Sequence, residues 1–94
     1  MKYELTIVLV GKITPAKKKA AKELIEKLVK VTKGKVIKSN DWGEKELAST
    51  INAESSGNLI HFELELEPES IADLATKLNL EESIARHLLV RADD

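Results

Sequence analysis

Asn58-Leu59-Ile60-His61-Phe62-Glu63-Leu64-Glu65-Leu66-Glu67 alternates without a break. Ile60, Phe62, Leu64 and Leu66 fall on one side of an extended chain, and His61, Glu63, Glu65 and Glu67 on the other. A period of two marks a β-strand. Apolar-in, polar-out alternation belongs to a sheet with one face covered and the other open. Helices are therefore expected on one side only, with the opposite side left to solvent or a partner.

Upstream, Glu54-Ser55-Ser56-Gly57 reads as a hairpin turn. Before it, Lys35 to Ile51 reads as a strand interrupted by a kink at Asp41-Trp42-Gly43, because Asn40, Asp41 and Gly43 are turn and bulge formers. Trp42 is the one tryptophan of the chain. A tryptophan can bury ~150–250 Å², so Trp42 is read first as core packing of the bulge and second as a partner contact. Thr14-Pro15 opens a helix, with Thr14 as N-cap and Pro15 in the first helical position. Ala21, Leu24, Ile25, Leu28 and Val31 or Thr32 give that helix an apolar stripe, and Gly34 is the expected C-cap. Tyr3 to Val10 reads as a central strand, ended by Gly11 and Lys12.

Downstream, Pro68-Glu69-Ser70 opens a second helix. Ser70 with Asp73 forms a variant capping box, and Ile71, Leu74, Ala75 and Leu78 form the buried stripe. Asn79 to Glu82 connects to a last strand, Ile84 to Arg91. Leu88-Leu89-Val90 leaves open which face of that strand is buried. The order strand, helix, strand, strand, helix, strand, with both helices on one face, is an α+β ferredoxin-like βαββαβ plait with a four-stranded antiparallel sheet. The handedness of the crossovers puts the first and third strands in the centre. Residues 1–94 are expected to form a single domain of this kind.

The formal net charge of −1 hides an asymmetry. Residues 1–45 hold 12 Lys against 5 acids, a net of +7, and residues 46–94 carry a net of −8. A basic half can meet phosphates and an acidic half a basic partner. There is no cysteine, which removes disulfides and thiolate metal sites. No apolar run approaches the ~20 residues of a membrane span, and Met1-Lys2-Tyr3-Glu4 does not open a secretion signal. A cytoplasmic chain without membrane association is expected.

Catalytic chemistry is hard to find. His61 and His87 lie in separate strands and lack the further ligand that a metal site needs. His61 is read as a polar or partner-facing residue on the open sheet face, and His87 as a half-buried strand residue. Glu63, Glu65 and Glu67 stand about 7 Å apart on one face and read as a solvated row. Gly11-Lys12 lacks the framework of a phosphate-binding loop. With Tyr3, Trp42 and Phe62 as the only aromatics, no platform for stacking RNA bases is present. The expectation is no enzyme, no cofactor, no metal and no small-molecule substrate.

Several pieces of sequence taken together resemble one family. They are Met1-Lys2-Tyr3-Glu4 at the start, Asp41-Trp42-Gly43 followed by Lys45-Glu46-Leu47-Ala48 and Ile51, Pro68 before the second helix, and Arg86-His87-Leu88-Leu89-Val90-Arg91 at the end. In order and spacing they resemble the family of the sixth protein of the bacterial small ribosomal subunit, over nearly the whole chain. The resemblance implies the same plait and a structural role in the ribosome. It implies binding to the central domain of small-subunit ribosomal RNA together with a small basic partner, the eighteenth protein of that subunit.

The resemblance also implies RNA contacts at Lys2, Arg86 and Arg91, with Lys45 as a further candidate, acting by phosphate neutralisation. For the partner it points to the second strand and the open face, at Trp42, Leu59 and His61. Ser49-Thr50 stands where the family usually has Tyr-Pro, and Leu59 and His61 where it often has aromatics. An edge strand broken at the kink is a poor template for self-pairing, so a monomer is expected off the ribosome. The alternative from another class is a small-molecule-sensing regulatory plait of the ACT type, which wants a glycine-rich loop where this chain has Gly11 alone. An acyl-phosphate hydrolase on this plait would need an arginine in that loop, which Gly11-Lys12-Ile13-Thr14 lacks.

Overall fold

A computed structural model of the chain describes the backbone of residues 1–11, 13–51 and 54–92, and the side chains among these outside 47–56. The elements are β1 (Lys2–Leu9), α1 (Pro15–Val31), β2 (Lys35–Ile51), β3 (Glu54–Glu65), a 3-10 turn (Pro68–Ser70), α2 (Ile71–Asn79) and β4 (Arg86–Arg91). The strands form one antiparallel sheet in the order β2-β3-β1-β4. This is the expected plait, with β1 and β3 in the centre.

The alternation in β3 does what its period requires. Ile60, Phe62 and Leu64 are fully buried with Leu5 and Ile7 of β1, against Ile25 and Val29 of α1 and Leu74 and Leu78 of α2. Each such side chain removed from water contributes about 1.5–3 kcal/mol. Leu89 packs on the same core, and His87 stands opposite core residue Ile7. The open side of β4 is therefore Arg86, Leu88 and Val90, which settles the face that sequence left undecided.

Helix α1 begins as its sequence dictates: the Lys17 N–H donates to Thr14 Oγ1 at 3.2 Å, and Pro15 opens the first turn. Its inner face is Ala21, Ile25, Val29 and Thr32, with Leu24 and Leu28 partly buried, while Val31 is exposed. The i+4 and i+7 steps from Ile25 lead to Val29 and Thr32, so Val29 takes the place expected for Val31. Thr32 is buried because its hydroxyl lies within hydrogen-bond distance of the Leu28 and Val29 carbonyls, at 3.1 and 2.9 Å. The helix ends two residues earlier than Gly34 as C-cap implied. Thr32 is the C-cap, and Lys33 takes the left-handed turn at φ +65. Lys33 N–H donates to the Lys30 carbonyl at 3.0 Å and Gly34 N–H to the Val29 carbonyl at 2.9 Å, a Schellman arrangement.

The capping box expected at Ser70 does not form. Ser70 sits at φ −85, ψ −12 and caps nothing with its side chain. The 3-10 turn is the reason: it carries the chain into helical geometry early, and Ser70 N–H donates to the Glu67 carbonyl at 2.9 Å. A capping side chain needs extended backbone at its own residue. Asp73 instead lies 3.7 Å from Lys77.

The expected hairpin turn at Glu54–Gly57 is strand. These residues continue β3 and pair with β2 as a two-stranded ribbon, whereas β1 accompanies β3 only as far as Asn58. A polar stretch can extend a hairpin wherever its partner strand supplies the hydrogen bonds. Asn52 and Ala53, between the strands, lie outside the described residues, as does Lys12, one of the two residues expected to end the first strand. Strand β4 starts at Arg86, and Ile84 is a buried plug just before it.

Candidate nucleic-acid and partner interface

Of three register shifts between β2 and β3, the first two shape the side of the sheet away from the helices, and the third lies between Glu46 and Ile51 on the ribbon. The pairing with β3 breaks register between Val36 and Lys38 and again between Asp41 and Gly43. At each break two residues of β2 oppose one of β3, which bends the strand and re-aims a side chain. The extra residues are Ile37 and Trp42, both about half exposed. Leu88 and Val90 of β4 join them on the open face, at 62% and 41% exposure. Ile37 lines a shallow hollow with Lys2, Glu4 and Glu63.

The second bulge is fixed locally. Gly43, at φ +76, donates its N–H to Asp41 Oδ1 at 2.8 Å, and Asp41 Oδ2 lies 3.1 Å from Lys18 Nζ of α1. The Gly43 N–H first, and Lys18 second, hold the Asp41 carboxyl below its usual range. A lowered folded-state value adds stability above the unfolded value of ~3.9 and loses it as pH falls through the folded one. Asp41→Asn is thus expected to be less stable than the parent at pH 7, with the gap closing in acid. Urea midpoints of both chains at pH 7 and below pH 3 check it.

With Asp41 turned toward α1, Trp42 lies on the open face. Its indole stacks on the His61 imidazole, with ring centroids 4.6 Å apart and planes 8° apart. Trp42 is 46% exposed, so the first reading of it as bulge core is corrected. Turn chemistry at Asp41 and Gly43 decides where the indole goes, and residue size does not. His61 is the covered member, at 8% exposure, and its Nε2 lies 3.2 Å from Glu4 Oε1 on β1. It is on the expected face but beneath the tryptophan. Glu4, His61 and Trp42 thus form one line across three strands. Sequence reasoning did not single out Glu4; its alternation with Tyr3 and Leu5 was the available signal. Leu59, paired with Val8 and Gly43, flanks this line and is partly buried.

The four basic candidates are not brought into one patch. Lys2 and Arg91 lie at the same end of the sheet but on opposite faces: Arg91 opposes core-facing Tyr3, Lys2 shares the open face with Glu4, and Ala92 N–H donates to the Lys2 carbonyl at 2.9 Å. Arg86 lies at the other end of β4, opposite Val8, and Lys45 is on the β2–β3 ribbon, opposite Gly57. All four side chains are exposed. Among the described residues no cluster of metal-ligating side chains is present, and no helix is long and apolar enough to cross a membrane.

The sequence profile of ribosomal protein S6 matches residues 2–91. The chain belongs to the ribosomal protein S6 family. Among curated relatives, the small ribosomal subunit protein bS6 of Dehalococcoides mccartyi is 28% identical over 92 residues, covering 98% of this chain and 84% of the relative. The bS6 of Corynebacterium aurimucosum is 42% identical over 60 residues, 64% of this chain and 62% of the relative. The crystal structure of 30S ribosomal protein S6 from Thermotoga maritima superposes with a TM-score of 0.87 at 17% identity, over 97% of this chain and 86% of that one. The C-terminal domain of the MgtC protein from Mycobacterium tuberculosis is similar at a TM-score of 0.59 and 11% identity, over 97% of this chain and 86% of that one. The two structural likenesses speak to fold alone. Family membership carries the role: an S6 chain is a structural, non-enzymatic constituent of the ribosome, working in translation in the cytoplasm. The regulatory ACT-type alternative is not favoured.

Proposed function

We propose that this S6-family chain binds the central domain of small-subunit ribosomal RNA through Lys2, Arg86, Arg91 and Lys45, and docks the small basic eighteenth protein of that subunit on its open sheet face. Trp42 is the aromatic anchor of that face, with Leu59 and His61 beside and beneath it, and the chain is a monomer until it assembles. The observation that carries the reading is the half-exposed group Ile37, Trp42, Leu88 and Val90, set among Glu4, Glu63 and Glu65 on one sheet surface. Apolar anchors inside a charged surround are the anatomy of a protein interface; Glu4, Glu63 and Glu65 suit a basic partner, while Lys2, Lys38 and Arg86 on the same face suit phosphate. The separation of Lys2 and Arg91 from Arg86 and Lys45 suits phosphates spread along RNA, because such contacts position a protein without reading bases.

Co-sedimentation of the tagged chain with small ribosomal subunits at two salt concentrations tests this. Recovery that weakens as salt rises is expected. For the assembled RNA–protein complex, replacing Lys2, Arg86 and Arg91 by Gln should flatten the slope of log affinity against log salt by roughly 0.7–0.9 per lost contact. Unchanged recovery and slope in that variant would remove these residues from the RNA interface.

A further inference from the structure

Helix α1 carries a charge pattern that neither the core nor the docking face uses. Pro15 to Lys33 hold seven Lys and two Glu, whereas Glu67 to Glu82, which include α2, hold five acids and one Lys. The helical side of the molecule is therefore polarised, basic over α1 and acidic around α2. A surface that only has to stay soluble mixes both signs. Lys19, Lys22, Lys30 and Lys33 lie at i, i+3, i+11 and i+14, on one flank of the helix beside its buried stripe. That flank runs along β2: Lys18 pairs with Asp41, Lys22 acts on the same carboxyl, and Lys30 shares a hollow with Lys35 and Val36. Lys19, Lys30 and Lys33 are exposed and Lys22 is half-buried. Glu23 and Glu26 share the flank, yet among the described residues no ion pair joins them to these lysines. Like charges one turn apart, as in Lys19 with Lys22 and Lys30 with Lys33, weaken a helix.

We propose that this flank of α1 is a second phosphate-binding surface, which grips double-helical RNA by its two backbones on the side of the chain away from the docking face. At 1.5 Å per residue, Lys22 and Lys30 are about 12 Å apart along the helix. Lys19 with Lys22, and Lys30 with Lys33, meet phosphates on either side of a groove. Glu23 and Glu26 fall over the groove between them, where no phosphate lies. Tyr3 and Phe62 are in the core and Trp42 is on the open face, so this side has no aromatic on which unpaired bases could stack. It offers charge and shape, by which double-stranded RNA is recognised. The acidic surround of α2 repels the same duplex and fixes its direction of approach. Lys2, Arg86, Arg91 and Lys45 lie elsewhere, so the surface is independent of the RNA contacts proposed above.

Binding of a fluorescent RNA duplex of about 16 base pairs, the length a double-stranded RNA domain spans, to the full chain alone tests this. Affinity is expected to fall as salt rises. Replacing Lys19, Lys22, Lys30 and Lys33 together by Gln should flatten the slope of log affinity against log salt by roughly 3–4, about 0.9 for each lost contact. The substitutions relieve repulsion on the helix, so the variant stays folded, and its circular dichroism should match the parent's. Single-stranded polyuridine should bind more weakly than the duplex. The variant with Gln at Lys2, Arg86 and Arg91 is the control and should bind the duplex like the parent. An unchanged slope in the four-lysine variant overturns the proposal, as does tighter binding of polyuridine. A loss confined to the control places duplex binding on those three residues and overturns it too. So does a four-lysine variant that loses only self-association in sedimentation, because the flank then meets the acidic side of a second copy. Each failure leaves the sheet-side reading standing, since that is tested on other residues in the assembled complex.

Discussion

Phe62→Ala is expected to cost about 3–5 kcal/mol, the range for emptying a buried aromatic site. Phe62 is fully buried in the middle of β3, opposite Leu5 on β1 and Ser39 on β2. It sits on the covered face of the sheet in one core cluster with Ile25, Val29, Leu74 and Leu78 of the helices, so the cavity would open among side chains already close-packed. A domain has only about 5–15 kcal/mol in total, so the variant is marginal at room temperature. Phe62→Leu retains most of the volume and should cost less than about 1.5 kcal/mol. Urea denaturation of the three chains checks the order. Equal losses in the two variants would mean that the site collapses around whatever side chain it is given.

Gly34→Ala is expected to cost about 2–3 kcal/mol, a large effect for one methyl group. The reason is proximity. A Cβ at this position would overlap Leu66 Cδ2 and stand 2.7 Å from the Glu65 carbonyl oxygen, with Val29 Cγ1 at 3.1 Å. The Leu66 side chain can turn away, but the backbone carbonyl is fixed by its place at the end of β3. Lys33→Gly, one residue earlier, should go the other way. Lys33 occupies the left-handed conformation at φ +65, which a side chain disfavours by roughly 1 kcal/mol. The neighbouring positions therefore respond with opposite signs. Thermal unfolding of the two single variants shows it, and destabilisation by both would refute the assignment of the turn to Lys33.

The fold was legible wherever one residue's neighbours along the chain decide its place. Ile60, Phe62 and Leu64 had to share a face, and Thr14-Pro15 had to start a helix, because both are local requirements. Misreadings arose where a second element decides. Lys33 and Gly34 exchanged roles because strand β3 comes close to one and not the other. Ser70 lost its capping function to a 3-10 turn whose hydrogen bond lies outside the Ser-x-x-Asp pattern. The ribbon beyond Asn58 was hidden because polar residues there are held by their partner strand. At the site, His61 was placed on the correct face by period, and Leu59 by the resemblance. Trp42 was not, because its direction is set by the Asp41 side chain bonding both Gly43 and α1. Glu4 went unnoticed for a related reason: what joins it to His61 is sheet register between strands far apart in the chain.

Strand β1 is the first strand to be made, yet its two neighbours are β3 and β4, so that Tyr3 lies beside Leu64 and Arg91. Contacts this distant in sequence close slowly and late. During synthesis, α1 and the β2–β3 hairpin can take shape as they emerge, but β1 has a free edge until the last six-residue strand arrives. Leu88 and Val90 are part of that strand, so the open face is incomplete until β4 has joined β1. Folding is thereby ordered in time: the open sheet face is finished only when β4 closes on β1, after the β2–β3 hairpin that forms its other half.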